Sequence, residues 1–535
     1  MKRISCCLAT WAILALGAEN TLATDMDQIV VTATRTAQSQ DESLAAVSVI
    51  TRQDIERLQP QSLQDLLRGV PGLTLSNNGG PGKTSSLFMR GTESDHVLVL
   101  LDGIKLGSAT LGVTPIQDLP VAQIERIEIV RGPRSSLYGS EAIGGVIQIF
   151  TRRGGGDFKR RFSLGLGSHA TRSGSLGLSG GGEHSWYSVD LALSDTDGFD
   201  ACRATTAGGC YTDEPDDDGY RNESASLRAG HRFDNGLEVD FHALQADGEN
   251  EYDGSFVNQS ETRQQILGGS LRIAPTDTWL LSLKGGRAWD KSDNYKDGLY
   301  MTTFDTQRDS LSLQGDLDLG KAQLLTLGFD YQEERVESST EYRVDDRDNQ
   351  GYFVQYQGEF SAQELQFSLR QDDHEGFGKH TTGGIAWGYT LDGGFRLWSS
   401  YAAAFKAPTF NELYYPGFGN PELQPEESSG LEVGLQGGAD WGDWSLSVYQ
   451  TRVDELIAFD ASYNPVNIDR ARIRGIEARV DNDIGPWRTT TSLTLLDPRN
   501  DSGGSNDDNL LPRRTRQSLR IDLDRDFGAY TLGAS

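Results

Sequence analysis

The feature that most constrains this chain is an alternation. From about Arg153 onward, apolar and polar residues take turns in FSLGLG at 162–167, SLGLSG at 175–180, YSVDLAL at 187–193 and LEVDFHAL at 237–244. The texture returns in LSLQGDLDL at 311–319, LLTLGFDY at 324–331, FVQYQGEF at 353–360, LEVGLQGG at 431–438 and SLSVYQTRV at 445–453. A period of two puts neighbouring side chains on opposite faces of a strand. Polar connections rich in Asp, Asn and Gly separate the segments; some are short, some long, and aromatic residues stand near the strand ends. That combination is the signature of an outer-membrane barrel. A soluble sandwich or propeller would alternate too, but no fixed repeat of propeller length is present. The roughly 380 residues after 153, at about 20 per strand with its connection, make about 19 strands.

Composition narrows the reading further. No apolar run of about 18 residues occurs beyond the N-terminus, and mean hydropathy is −0.48. A helical membrane protein is excluded; a barrel with a polar lumen is not. The formal net charge of −29 makes nucleic acid a poor partner. Residues 1–23 read as a signal peptide, with Lys2 and Arg3 ahead of the apolar core LATWAILALGA at 8–18 and small residues at Ala18 and Ala23. An exported chain meets an oxidising compartment, so Cys202 and Cys210, in CRATTAGGC, favour a local disulfide over a metal site.

Residues 40–152 follow different rules and read as a compact α/β domain. Thr51 can cap a helix over 52–58, and Ser62 with Asp65 makes a capping pattern for 63–70, which Pro71-Gly72 ends. Strands are expected at 86–91, 97–103, 104–106, 124–132 and 145–150. Ahead of this domain stands DQIVVTATR at 27–35, a β-branched run with strand propensity and nothing nearby that looks able to pair with it.

These residues resemble a known family. DQIVVTATR at 27–35, MRGTESDHVLVLLDG at 89–103, VRGPRSSLYGSEAIGGVIQIFT at 130–151, KAPTFNELY at 406–414, GNPELQPEES at 419–428 and RIRGIEA at 472–478 occur in the order of a TonB-dependent outer-membrane receptor. Within that family the chain is most similar to the cobalamin (vitamin B12) receptors. The resemblance implies a mainly β fold, with an N-terminal α/β plug (40–152) inside a transmembrane antiparallel β-barrel (153–535) of about 22 strands. Against that template the sequence stops about three strands early. It also implies a monomer in the bacterial outer membrane, in contact with its lipid, that imports a corrinoid. The rival within transport is an iron-siderophore or haem receptor.

The resemblance also assigns sites. Asp27, Gln28, Ile29, Val30, Val31, Thr32 and Ala33 match the TonB box, which adds as a strand to TonB, the periplasmic arm of an inner-membrane energising complex. The alternative is a plug strand that pairs within its own chain, and the two can alternate. Arg35 can anchor the box to the barrel wall by a charge pair until ligand binds. Acidic loops offer hard oxygen donors of the kind Ca²⁺ takes: Asp200, Glu214, Asp216, Asp218, Asp253 and Glu261, with Tyr252 through its carbonyl. Ligand contacts map to Thr84, Ser86, Glu93, Thr110 and Leu111, with Glu93 standing where the family carries Asn. Arg90 and Arg131 are expected to pair with Glu432 and Glu477 and lock plug to barrel, since buried charges need partners.

Enzyme chemistry finds no support. Ser94, Asp95 and His96 are adjacent, but a triad is a spatial arrangement. HExxH and GxxxxGK[ST] are both missing from the sequence.

Overall fold

The computed structural model describes residues 29–30, 34–36, 38–202, 212, 214–460, 462–504, 506–528 and 530–535. The predicted signal peptide, Cys210 and all of the TonB box except Ile29 and Val30 lie outside the described residues.

Nineteen strands, β10 (Lys159–Leu166) to β28 (Thr531–Ala534), form one sheet in which each pairs antiparallel with the next. Their side chains sort as the alternation requires. In β12 (Ser185–Thr196), Tyr187, Val189, Leu191 and Leu193 are exposed, while Trp186, Ser188 and Asp190 are buried. Exposed apolar residues in rows on one face belong against lipid, and the polar face looks inward. Connections at one end are short (277–278, 361–362, 440–441, 485–486), and at the other end several are long (197–219, 407–425, 501–516). The outer edges of β10 and β28 carry no strand partner among the described residues.

The sheet wraps a five-stranded mixed sheet in the order β3 (Val47–Ile50), β8 (Ile124–Arg131), β9 (Gly145–Thr151), β6 (Val97–Leu101) and β7 (Ile104–Lys105). Its apolar core gathers Ile127, Ile129, Val99, Ile147 and Ile149 with Leu63 and Leu67. A two-stranded ribbon, β4 (Leu73–Asn77) with β5 (Ser85–Met89), extends from this plug. Helix α1 (Arg52–Leu58) is capped as its sequence requires: Thr51 Oγ1 accepts the Asp54 N–H at 3.2 Å, and the Asp54 carboxylate accepts the Thr51 N–H at 3.0 Å. Helix α2 (Leu63–Leu67) closes three residues before the predicted end at 70: Gly69 disfavours a further turn, Pro71 disfavours the helical conformation at Val70, and the Val70 N–H turns back to Leu67 O.

One expectation is overturned here. The N-terminal segment does have a partner: β1 (Ile29–Val30) pairs antiparallel with β2 (Gln38–Ser39), Ile29 opposite Ser39 and Val30 opposite Gln38. Gln38 and Ser39 carry no strand pattern, but a ladder uses backbone groups and side chains need not advertise it.

Candidate functional site

Where the tail meets the wall, at the end with short turns, Arg35 binds Asp330 of β18 (Gln323–Ser338). Both terminal guanidinium nitrogens, Nη1 and Nη2, donate to the carboxylate, each at 3.0 Å. The Arg35 backbone is left-handed, with φ 59°. Its guanidinium stands 4.9 Å from the Tyr138 ring of the plug and 4.6 Å from the Phe353 ring of the wall. The charge pair, the two rings and Gln314 Nε2, which donates to the Arg35 carbonyl at 3.3 Å, hold that conformation. Asp330 also receives Arg370 Nη1 at 2.5 Å, and Arg370 is held in turn by Asp372. Sequence alone did not show this partner, which lies 295 residues away.

Deeper inside, Arg90 and Arg131 of the plug meet Glu432 and Glu477 of the wall. Arg90 Nη2 lies 2.5 Å from Glu432 Oε1, and Arg90 Nε lies 2.9 Å from Glu477 Oε1. Arg131 Nε is ion-paired at 3.0 Å with the other Glu477 oxygen, and its Nη1 donates to Ser48 Oγ at 2.7 Å. The Tyr449 ring covers Arg90 at 4.0 Å. Nearby, a second buried group joins Lys406 Nζ to Asp95 at 2.8 Å and to Glu426 at 3.1 Å, with His96 Nε2 3.0 Å from the same Glu426 oxygen. His96 is thus committed to the wall, and Ser94 Oγ accepts the Leu87 N–H at 3.0 Å. No nucleophile–base pair exists among these three neighbours.

At the end with long loops, Thr84 and Leu111 are exposed and Ser86 is half-buried on β5. Glu93 is ion-paired with Arg514 of the 501–516 connection. Thr110 does not share that surface. It is buried, its hydroxyl is 2.8 Å from Ser108 Oγ, and its carbonyl accepts the Asn411 N–H.

The acidic loops converge in part. Neither carboxylate oxygen of Asp253 has a hydrogen-bond partner among the described residues, although both are shielded from solvent. Burial, reinforced by the charges of Asp218, Asp200, Glu214 and Asp216, pushes the Asp253 carboxyl up to about 6. A carboxylate in the field of four others, with no ion pair of its own among the described residues, fits the donor chemistry of a hard cation. The set is not closed to ligand distance: no three acidic side chains among the described residues converge tightly enough to hold an ion. Glu214 pairs with Lys296, Asp200 Oδ1 accepts the Cys202 N–H at 3.2 Å, and Asp218 Oδ2 accepts the Ala201 N–H at 3.0 Å. Tyr252 begins the 252–258 connection beside Asp253. Glu261, expected in the group, is not brought to it. It is exposed at an odd position of β15 (Gln259–Thr276), hydrogen-bonded to Tyr295, while the even position Thr262 points inward to Asp118. Cys202 is disulfide-bonded.

Sequence reasoning also passed over Lys83. Its side chain is buried at the plug apex, and Nζ donates to Asp218 O at 3.0 Å, Gly219 O at 3.1 Å, Asn250 Oδ1 at 2.9 Å and Pro81 O at 3.2 Å. Burial pulls its pKa down to about 8, opposed by Asp218 and Glu251, which leaves it protonated at neutral pH.

Between plug and wall, a cavity of about 650 Å³ is lined by Arg35, Asp102, Lys105, Lys284 and Asp330 and reaches the 277–278 turn. It lies at the end with short turns, away from the exposed apex.

A plug tied by buried charges inside a lipid-facing barrel, with loops on one side and a tethered tail on the other, defines a gated outer-membrane receptor. The comparisons name its family. The profile described as TonB-dependent Receptor Plug Domain matches residues 39–146, and that described as TonB dependent receptor-like, beta-barrel, matches 154–535. The chain belongs to the TonB-dependent receptor family. It is 32% identical over 506 residues to the protein named vitamin B12 transporter BtuB of Photobacterium profundum, covering 92% of this chain and 82% of that one. With the protein of the same name from Vibrio vulnificus, identity is 33% over 509 residues, covering 92% and 81%. Among solved structures, a point mutant of the ferric enterobactin receptor PfeA of Pseudomonas aeruginosa superposes with a TM-score of 0.78 at 20% identity, covering 94% of this chain and 86% of that one. The siderophore receptor PirA of Acinetobacter baumannii gives 0.76 at 20%, covering 90% and 84%. At that identity the structures show a common fold. The protein is therefore an outer-membrane receptor, not an enzyme, and it imports a ligand by coupling to TonB.

Proposed function

We propose that this receptor imports a corrinoid of the cobalamin class as a monomer, with Ca²⁺ ordering its acidic loops. The observation that carries the reading is the identity of 32% and 33%, spread over 92% of the chain, to two proteins named vitamin B12 transporters. Ligand meets Thr84, Ser86, Leu111 and Glu93 at the apex. The calcium donors are Asp200, Asp216, Asp218 and Asp253, with Glu214 and the Tyr252 carbonyl in support. Bound calcium supplies positive charge that lets these carboxylates approach one another.

The residues of the tail do the coupling. Asp27 to Ala33 offers TonB a strand edge, and backbone hydrogen bonds give the grip. That engagement exchanges the β1–β2 ladder for a ladder with TonB. Once Arg35 leaves Asp330, force on the tail acts on the plug beside the existing cavity, where a path for the ligand can widen. The test is cyanocobalamin binding to the protein in outer-membrane vesicles, with calcium and with a chelator. Tight binding that weakens on chelation is the expected result. Binding indifferent to chelation would remove the metal, and binding of a ferric siderophore with no binding of cyanocobalamin would remove the corrinoid.

A further inference from the structure

The plug apex and the acidic loops are built against each other at four points between Gly79 and Lys83. Asn77 shapes the apex turn: its Oδ1 accepts the N–H of Gly79 at 2.9 Å and of Gly80 at 2.5 Å, and its Nδ2 donates to Lys83 O at 3.2 Å. Gly79, Gly80 and Gly82 have φ of 144°, 110° and 75°. A Cβ on them would lie 2.6 Å from Ala201 Cβ, 3.0 Å from the Phe199 ring and 2.0 Å from the Tyr220 ring. Glycine is needed at these three positions both for the backbone and for the approach of the loop. Lys83 completes the contact. Its ammonium holds the carbonyls of Asp218 and Gly219 on one arm and Asn250 on the other, three residues before Asp253. One plug side chain thereby holds the backbone beside Asp218 and, through the Asn250 side chain, the arm that carries Asp253.

We propose that Lys83 is the positioning residue that couples the acidic loops to the plug, so that a divalent cation among the carboxylates orders the plug apex through the Lys83 ammonium. The proposal rests on the calcium reading above and adds the route by which the loops reach the plug. Coupling of this kind is reciprocal: whatever cation binding does to the apex, the seating of the apex does to cation affinity. The three acceptors outside the plug leave the ammonium no freedom to follow the plug without moving 218–219 or Asn250.

Amide hydrogen exchange on the protein in outer-membrane vesicles, with Ca²⁺ or with a chelator, reads the coupling without any transport step. In the unaltered protein, Ca²⁺ is expected to slow exchange at 214–219 and 252–258 and also at 78–83. In Lys83→Met, Ca²⁺ is expected to slow the loops still, while its effect at 78–83 falls about tenfold. Asn250→Ala keeps the lysine and removes one acceptor, and a partial fall is expected; it decides the matter if Lys83→Met does not fold. Calcium that slows 78–83 as strongly in both variants as in the unaltered protein would overturn the coupling and leave the calcium reading standing. Calcium that slows the loops but not the apex of the unaltered protein would do the same. Calcium that slows neither would overturn both.

Discussion

Two of the charge clusters that join the plug to the wall differ in depth and in redundancy. The side chains of Arg90, Arg131, Glu432 and Glu477 are only 3–6% exposed, whereas Arg35 and Asp330 are 14% and 16% exposed. In the deep cluster both guanidinium groups belong to the plug and both carboxylates to the wall. Withdrawing the plug body would strand charge on each side. At the tail, Asp330 is shared between Arg35 and Arg370, and Arg370 belongs to the wall. When Arg35 leaves, Asp330 keeps a counter-ion. Burial makes the first cluster a lock on the plug body, and the spare arginine makes the second a tether that can be released.

Breaking the lock is expected to give the largest effect. Glu477→Ala removes the carboxylate shared by Arg90 and Arg131 and leaves buried positive charge, at a cost of about 3–5 kcal/mol. The check is denaturant unfolding together with protease cleavage within the plug. Equal resistance in the variant and the unaltered protein would dissolve the contrast between the two clusters.

Breaking the tether is expected to cost about 1–2 kcal/mol, the worth of hydrogen bonds between charged groups whose acceptor is not left bare. With a cysteine introduced by Thr36→Cys as the probe, Arg35→Ala should speed thiol labelling about tenfold, since each 1.4 kcal/mol is one decade. The unfolding midpoint of the barrel should not move. A fall as large as that of Glu477→Ala would mean that Arg35, too, is structural.

Another plug–wall contact sharpens the comparison because it contains no cation. Asp118 of the plug accepts the Tyr220 hydroxyl at 2.8 Å and the Thr262 hydroxyl at 3.2 Å. Burial pushes its carboxyl up to about 6 from 3.8, with the two hydroxyls pulling the other way. A raised acid pKa means that the folded state holds the proton more tightly. Its contribution to stability is therefore present at acid pH and lost as pH rises towards about 6. Between about pH 5 and pH 7 the loss is about 1 kcal/mol, and Asp118→Asn should flatten that part of the pH–stability curve. An unchanged slope would mean that the Asp118 carboxylate is solvated.

The sequence was most legible where the signal is local. Thr51 and Ser62 cap their helices, and each alternating segment falls on or within one residue of a barrel strand. Strands such as β15 and β13 (Tyr220–Arg232) escape a reading by alternation, since TRQQ at 262–265 and YRNESAS at 220–226 are polar on both faces. Arg90, Arg131, Glu432 and Glu477 do meet, a juxtaposition that rested on the family resemblance and not on any spacing. Thr110 and Glu261 show the converse, because their positions in sequence do not reveal that one is covered and the other faces outward.

By itself, the sequence determined the change of texture near residue 153, the alternation that sorts lipid face from lumen, and the acidic character of the loops, because these depend on neighbours along the chain. Only the tertiary structure decided that Asp330 holds Arg35, that Arg514 holds Glu93, that Lys83 grips the loop carbonyls and that Ile29–Val30 pairs with Gln38–Ser39. Three of these pairs close across the gap between plug and wall or loop, and the fourth is a backbone ladder. The residues that make them carry no local pattern, and their energy comes from burial and charge that exist only once the plug is seated.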